Sequence, residues 1–125
     1  MKDLNKNDDE QGGYDLIVLG AGSAGFSAAI TGADAGKRVA LVGHGTIGGT
    51  CVNVGCVPSK AMIRAAEAVH GAGAAKRFPG LSGHAQVDDW QTLVQSKDDL
   101  VETLRQKKYA DLLPEYEGVD YIDAG

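Results

Sequence analysis

Apolar residues fall into two short unbroken runs, a small-residue stretch between them, and one long periodic stripe. Tyr14-Asp15-Leu16-Ile17-Val18-Leu19 and Arg38-Val39-Ala40-Leu41-Val42 are β-rich runs of the kind found in strands buried on both faces. Between them lie Gly20-Ala21-Gly22-Ser23-Ala24-Gly25 and then Phe26 to Ala35, small and helix-compatible, with Gly36 placed to end the helix. Strand, glycine turn, helix and strand in this order predict a βαβ unit with parallel strands and a right-handed connection.

The stretch Gly43 to Thr50 is too glycine-rich to predict regular structure. Pro58 suits a first helical turn and predicts a helix to about His70, followed by a loop from Gly71 to Gly83. A second helix is predicted from Asp88, which can cap it, with Gln91 three residues on. Trp90, Leu93, Val94, Leu100, Val101, Leu104 and Leu112 recur at helical spacings and make one stripe, closed by Pro114 and Gly118. Val119-Asp120-Tyr121-Ile122 opens a further strand close to Gly125, so a truncated protein is expected. Residues 1–13 read as a disordered polar tail, and 14–125 as the first part of a larger domain. No internal repeat is visible.

Composition sharpens this picture through glycine. Twelve of the 18 glycines fall between Gly12 and Gly55 without a period of three, so collagen is excluded and backbone brought close to a ligand is favoured. The net charge of −5 argues against a general nucleic-acid binder. Residues 51–77 nevertheless carry +3 and hold both cysteines, a setting that favours thiolate and attracts anionic cofactors. No apolar run approaches a membrane span, and the first thirteen residues lack the apolar core of a secretory signal, so a cytoplasmic location is expected.

The glycine turn has a mechanical meaning. Gly20 permits the tight turn, Gly22 lets backbone approach a pyrophosphate, and Gly25 lets the helix pack closely on the strand. The helix N terminus then offers N–H groups and a partial positive charge to the phosphates. A strand before it and a helix and strand after it supply the context for dinucleotide binding, with a purely structural turn as the alternative. One element is missing: the second strand runs into Gly43 and His44, where Asp or Glu would bind the adenosine ribose. His44 or a backbone group is the expected substitute.

Cys51 and Cys56 lie in Gly48-Gly49-Thr50-Cys51-Val52-Asn53-Val54-Gly55-Cys56-Val57-Pro58-Ser59-Lys60. Residues five apart in an unbroken helix are rotated by about 140° and are poorly placed for a disulfide. Gly55, and Pro58 clashing with the carbonyl of Val54, loosen the helix and allow the sulfurs to meet. Cys56 is expected just before a helix whose N terminus stabilises a thiolate, with Lys60 adding positive charge. A redox-active dithiol is the favoured reading. A structural disulfide gains little from so short a loop, and a zinc site would need ligands that His44, His70 and His84 are not spaced to give.

Taken together, the GxGxxG turn and GGTCVNVGCVPSK resemble the pyridine nucleotide–disulfide oxidoreductases from Tyr14 onward. The resemblance implies an α/β fold, the N-terminal part of a Rossmann-like FAD-binding domain made of a βαβ unit, a redox-active helix and a long helix. The stretch from Thr46 to Lys60, with Met62-Ile63-Arg64-Ala65-Ala66 and Leu104-Arg105-Gln106-Lys107-Lys108-Tyr109, is most similar to the Hg(II)-reducing members of the family. It implies FAD held by Gly20, Gly22, Ser23, Ala24, Gly25, Gly49, Thr50, Cys51 and Lys60. It also implies a Cys51–Cys56 disulfide reduced by NADPH through FAD, with Cys56 nearer the flavin, Cys51 the exchange thiol and Lys60 tuning the flavin. Hg(II) would then be a substrate held by both sulfurs, in a homodimer whose NADPH site lies outside these residues. The 125 residues alone are expected to be inactive and weakly stable, with the stripe of the second helix exposed. Lipoamide- or glutathione-type disulfide reduction, and a non-catalytic Hg(II)-binding thiol module, are the alternatives.

Overall fold

Leu16–Leu19 (β1), Val39–Gly43 (β2) and Val119–Asp123 (β3) form a parallel three-stranded sheet in the order β1-β2-β3 in the computed structural model, which describes residues 13–124. The expected disordered tail, Gly13 apart, lies outside the described residues. Leu16 pairs with Val39 and Leu19 with Val42, while Val39 pairs with Val119 and Gly43 with Asp123. The ladder continues one residue past β1, where the Gly20 N–H donates to the Val42 carbonyl at 2.8 Å. This sheet and helix Ser23–Asp34 (α1) make one unit, drawn from the chain up to Gly45 and the segment from Leu113. A second unit, Thr46–Leu112, is helical: Gly49–Asn53 (α2), Cys56–Ala74 (α3) and Trp90–Arg105 (α4).

In the sheet unit, β2 is central, and its Val39, Ala40 and Leu41 are fully buried. In the sheet that the described residues form, β1 lies at the edge, so the expected burial on both faces is not seen there: Ile17 and Leu19 are 61% and 80% exposed. α1 packs through small residues at helical spacing, Gly25, Ala29 and Gly32. A Cβ at Gly32 would lie 2.9 Å from Val39 Cγ2 and 3.1 Å from Leu16 Cδ2. Small side chains on this face therefore set how near the helix comes to the sheet. At the opposite end of the strands, Asp15 Oδ2 accepts from the Arg38 N–H at 2.9 Å, and the Arg38 guanidinium lies over the Tyr14 ring.

The helical unit corrects four boundaries. The segment expected to be irregular contains α2, which begins at Gly49. α3 starts at Cys56 rather than Pro58, so the proline sits third in the helix, where an N–H has no intrahelical partner in any case. α3 also runs through Gly71 and Gly73 to Ala74, where a loop was expected. Each glycine costs a helix only about 1 kcal/mol, and the surrounding alanines carry it through. Asp89, not Asp88, caps α4: its carboxylate accepts from Gln91 N at 2.9 Å and from Thr92 N and Oγ1. Asp88 instead accepts from the Gln86 side chain. After Arg105 the helix widens into a π turn, Gln106–Ala110, that buries Tyr109. The stripe divides: Val101 is buried, while Trp90 and Leu100 are exposed. Trp90 and Leu93, with Met62, Ala66, Val69 and Val87, line an apolar groove of about 1030 Å³ in this unit.

Candidate active site

The predicted site residues fall into two groups, one in each unit. In the sheet unit, Gly20 follows β1 at φ +109°, with open space where a side chain would project. Only glycine adopts this conformation without strain. Gly22 is the extended residue preceding α1, and its carbonyl accepts the first helical bond, from Phe26 N at 2.9 Å. Ser23, Ala24 and Gly25 form the first turn of α1, and no side chain caps it. A Cβ on Gly25 would stand 1.8 Å from the Gly20 carbonyl oxygen. The turn therefore closes only with glycine at that position. An uncapped, positive helix N terminus beside a turn of glycines and small residues fits a pyrophosphate.

In the helical unit, Gly48 enters α2 at φ +96°, and a Cβ there would meet Val52 Cγ1 at 2.6 Å and the Tyr109 ring at 3.0 Å. Cys51 lies within α2, and Cys56 is the first residue of α3. The expected break between them is present at Val54 and Gly55. A Cβ on Gly55 would stand 2.9 Å from the Thr50 carbonyl oxygen and 3.3 Å from the Cys51 Cα, so the second helix can start this close only from a glycine. Ser59 braces the new helix by donating through Oγ to the Gly55 carbonyl at 2.6 Å.

Both cysteines are unbridged, exposed thiols that share a hydrogen bond. The local excess of positive charge led to an expectation of thiolate, and for Cys51 the structure reverses it. Its hydrogen bond to Cys56 raises the Cys51 pKa above the ordinary thiol range, with some desolvation and the charge of Cys56 acting the same way. A backbone hydrogen bond at Cys56 and the charge of Lys60 oppose this shift, Lys60 being the weakest contributor. Lys60 itself is an exposed residue of α3. Two neighbouring thiols of this kind are suited to disulfide exchange or to a soft cation. Among the described residues no cluster of three or more His, Cys, Asp and Glu could complete a metal site. His44, His70 and His84 are exposed.

Three residues that matter here were not singled out from the sequence. Asn53 Nδ2 donates to the Ile47 carbonyl at 2.9 Å and to the Gly49 carbonyl at 2.8 Å, tying α2 to the loop that enters it. Arg105 Nη1, from the last turn of α4, donates to Asn53 Oδ1 at 3.1 Å. Arg105 is also paired with Glu102. The amide is thereby fixed with its NH₂ toward the two carbonyls. A signal existed for Asn53, an amide between two cysteines of a short turn; none existed for Arg105, 52 residues away. The third residue is Tyr121, whose ring covers Gly43 at the end of β2.

A family model described as pyridine nucleotide-disulphide oxidoreductase matches residues 14–121. A mercuric reductase of Streptomyces lividans is 54% identical over 104 residues, 83% of this chain and 22% of the relative. A mercuric reductase of Staphylococcus aureus is 48% identical over 120 residues, 96% of this chain and 21% of the relative. Among solved structures, the Cu(II) complex of the HOCl-induced flavoprotein disulfide reductase RclA from Escherichia coli aligns with a TM-score of 0.67 at 30% identity, covering 90% of this chain and 22% of that one. The chain therefore spans about a fifth of the length of the curated relatives it matches. With a matching family model over nearly all of its described residues, a parallel α/β fold and a cysteine pair on a helix break, the chain belongs to the pyridine nucleotide-disulphide oxidoreductases, a family of flavoprotein oxidoreductases.

Proposed function

We propose that residues 14–125 are the N-terminal part of the FAD-binding domain of an NADPH-dependent enzyme that reduces Hg(II) to Hg(0). The single observation that carries the reading is the Cys51–Cys56 pair: two exposed thiols in mutual hydrogen bond across a glycine-enforced break, in a chain 54% identical to a mercuric reductase. Hg(II) is a soft cation suited to two sulfur ligands. Binding displaces the thiol protons and leaves Hg(II) held by Cys51 and Cys56. When bound, FAD would supply the passage of two electrons from NADPH. The balance is one Hg(II) and one NADPH giving Hg(0), NADP⁺ and H⁺.

In this reading Gly20, Gly22, Ser23, Ala24 and Gly25 hold the pyrophosphate through backbone N–H groups and the α1 dipole. Gly49, Thr50 and Cys51 approach the flavin end, and Lys60 adds positive charge there. NADPH binding and a homodimeric assembly belong to the rest of the protein, in the cytoplasm. No described helix is long and apolar enough to cross a membrane. The same dithiol is equally suited to disulfide exchange, and the flavoprotein disulfide reductase with TM-score 0.67 supports lipoamide- or glutathione-type reduction as the second reading.

The test is NADPH oxidation by the full-length protein with Hg(II), oxidised lipoamide or glutathione disulfide as acceptor. Release of Hg(0) with Hg(II), lost in Cys51→Ala and Cys56→Ala, is expected. Turnover with a disulfide alone would replace this reading by the second. A colourless protein that binds Hg(II) without oxidising NADPH would make the chain a thiol module.

A further inference from the structure

In a dinucleotide-binding βαβ unit the second strand ordinarily ends in Asp or Glu, whose carboxylate bonds the adenosine ribose. β2 ends here in Gly43, and the structure shows what fills the space. A Cβ built on Gly43 would lie 2.4 Å from Tyr121 Oη, 2.8 Å from Tyr121 Cε2 and 3.0 Å from the Cβ of Ala21. Ala21 belongs to the glycine turn, so the phenol hydroxyl and that turn both approach the end of β2, at the carboxyl ends of parallel strands. Register explains the reach. Tyr121 pairs with Leu41, two residues before Gly43, and Asp123 pairs with Gly43 itself. The ring extends forward along β2 and ends over the Gly43 backbone.

We propose that Tyr121 replaces the missing acidic residue, its hydroxyl bonding the adenosine ribose of FAD, with Gly43 present because the ring needs the space a side chain would take. The proposal rests on the FAD reading above. The chemistry is suitable: burial, and then the charge of Asp123, raise the Tyr121 pKa, so the phenol keeps its proton and can both donate and accept. A carboxylate at position 43 would accept only, and would collide with the ring. His44, the alternative substitute, is exposed and no contact fixes it toward the turn.

The experiment compares FAD with its 2′,3′-dideoxyadenosine analogue, titrated by flavin fluorescence into deflavinated full-length protein. One neutral hydrogen bond corresponds to about a 2- to 12-fold change in affinity. The unaltered protein is expected to bind FAD more tightly than the analogue by that factor. Tyr121→Phe, which keeps the ring and its packing, is expected to bind the two alike, at the affinity of the analogue. Gly43→Glu is expected to lose FAD, and Gly43→Glu with Tyr121→Ala to regain it with discrimination restored. If Tyr121→Phe discriminates as the unaltered protein does, or if His44→Ala is the change that abolishes discrimination, the role of Tyr121 is overturned. An unaltered protein that binds neither flavin overturns the FAD reading itself.

Discussion

The glycine turns at residues 20–25 and 48–55 look alike in the sequence, yet they are held by different means. Each has a glycine at positive φ and leads into a helix. The first is specified by absence. Gly20 points into open space, Gly25 must clear the Gly20 carbonyl, and no side chain caps α1. The second is specified by absence and bracing together. Gly48 and Gly55 clear neighbours, while Asn53, Arg105 and Ser59 tie the segment down by hydrogen bonds. A turn that is to present backbone N–H groups to a pyrophosphate, as proposed for the first, would gain nothing from side chains. A turn that holds two cysteines on either side of a helix break is held by them.

Gly25→Ala carries the largest expected effect. Its Cβ would meet backbone rather than a flexible side chain, so the loss should reach or exceed the roughly 3 kcal/mol upper range of overpacking. Chemical denaturation of the full-length protein checks it, and a loss below about 1 kcal/mol would mean that the first turn is not set by space. Gly48→Ala should cost about 2–3 kcal/mol, combining left-handed strain with the clash against Val52 and Tyr109. Gly80→Ala is the control, since Gly80 has φ +86° and open space around it. There the cost should be only about 1 kcal/mol.

Asn53→Ala tests the bracing. Losing both carbonyl contacts should cost about 1–3 kcal/mol and change the Cys51–Cys56 reduction potential, read by equilibration with glutathione. Arg105→Met should move the potential in the same direction and by less, because it removes only the bond that orients the amide. The equivalent removal in the first turn, Ser23→Ala, should leave the potential unchanged. An unchanged potential in Asn53→Ala would erase the distinction between the turns.

The smallest effect concerns pH. Cys51 titrates above the ordinary thiol range mainly because of Cys56. A raised folded value favours the protonated form, so its contribution to stability is complete below the unfolded pKa and is lost as pH rises through the folded one. The midpoint of Cys51 alkylation by iodoacetamide should therefore fall in Cys56→Ala and rise slightly in Lys60→Met, because Lys60 is the weakest opposing influence.

Much of the fold was legible because local rules agreed with the final arrangement. The GxGxxG spacing placed the turn, the α1 start and the tight Gly25 contact, and the apolar runs placed the strands. Parallel pairing followed from the connection. Element boundaries depart from the local signals where a single residue type carried them. Gly71 and Gly73 signal a loop in the sequence, yet the helix absorbs them. Pro58 signals a helix start, yet a proline is tolerated at any of the first helical positions, and α3 begins two residues earlier. Asp88 and Asp89 are equivalent candidates by type, and the bonds from Gln91 N, Thr92 N and the Thr92 hydroxyl all go to Asp89. The place of β1 at the edge of the described sheet was not legible for another reason: an apolar run does not state whether its strand is central or at an edge.

Residue type and spacing determined the turns, the helices and the presence of a paired thiol, because these depend on neighbours within a few positions. Three things required the folded chain. Edge exposure of β1 depends on which strand comes to lie beside it. The Arg105–Asn53 clamp depends on α4 returning past α2. The Tyr121 ring over Gly43 depends on the register of two strands nearly eighty residues apart. Contacts across such distances arise from packing, and no local pattern along the chain encodes them.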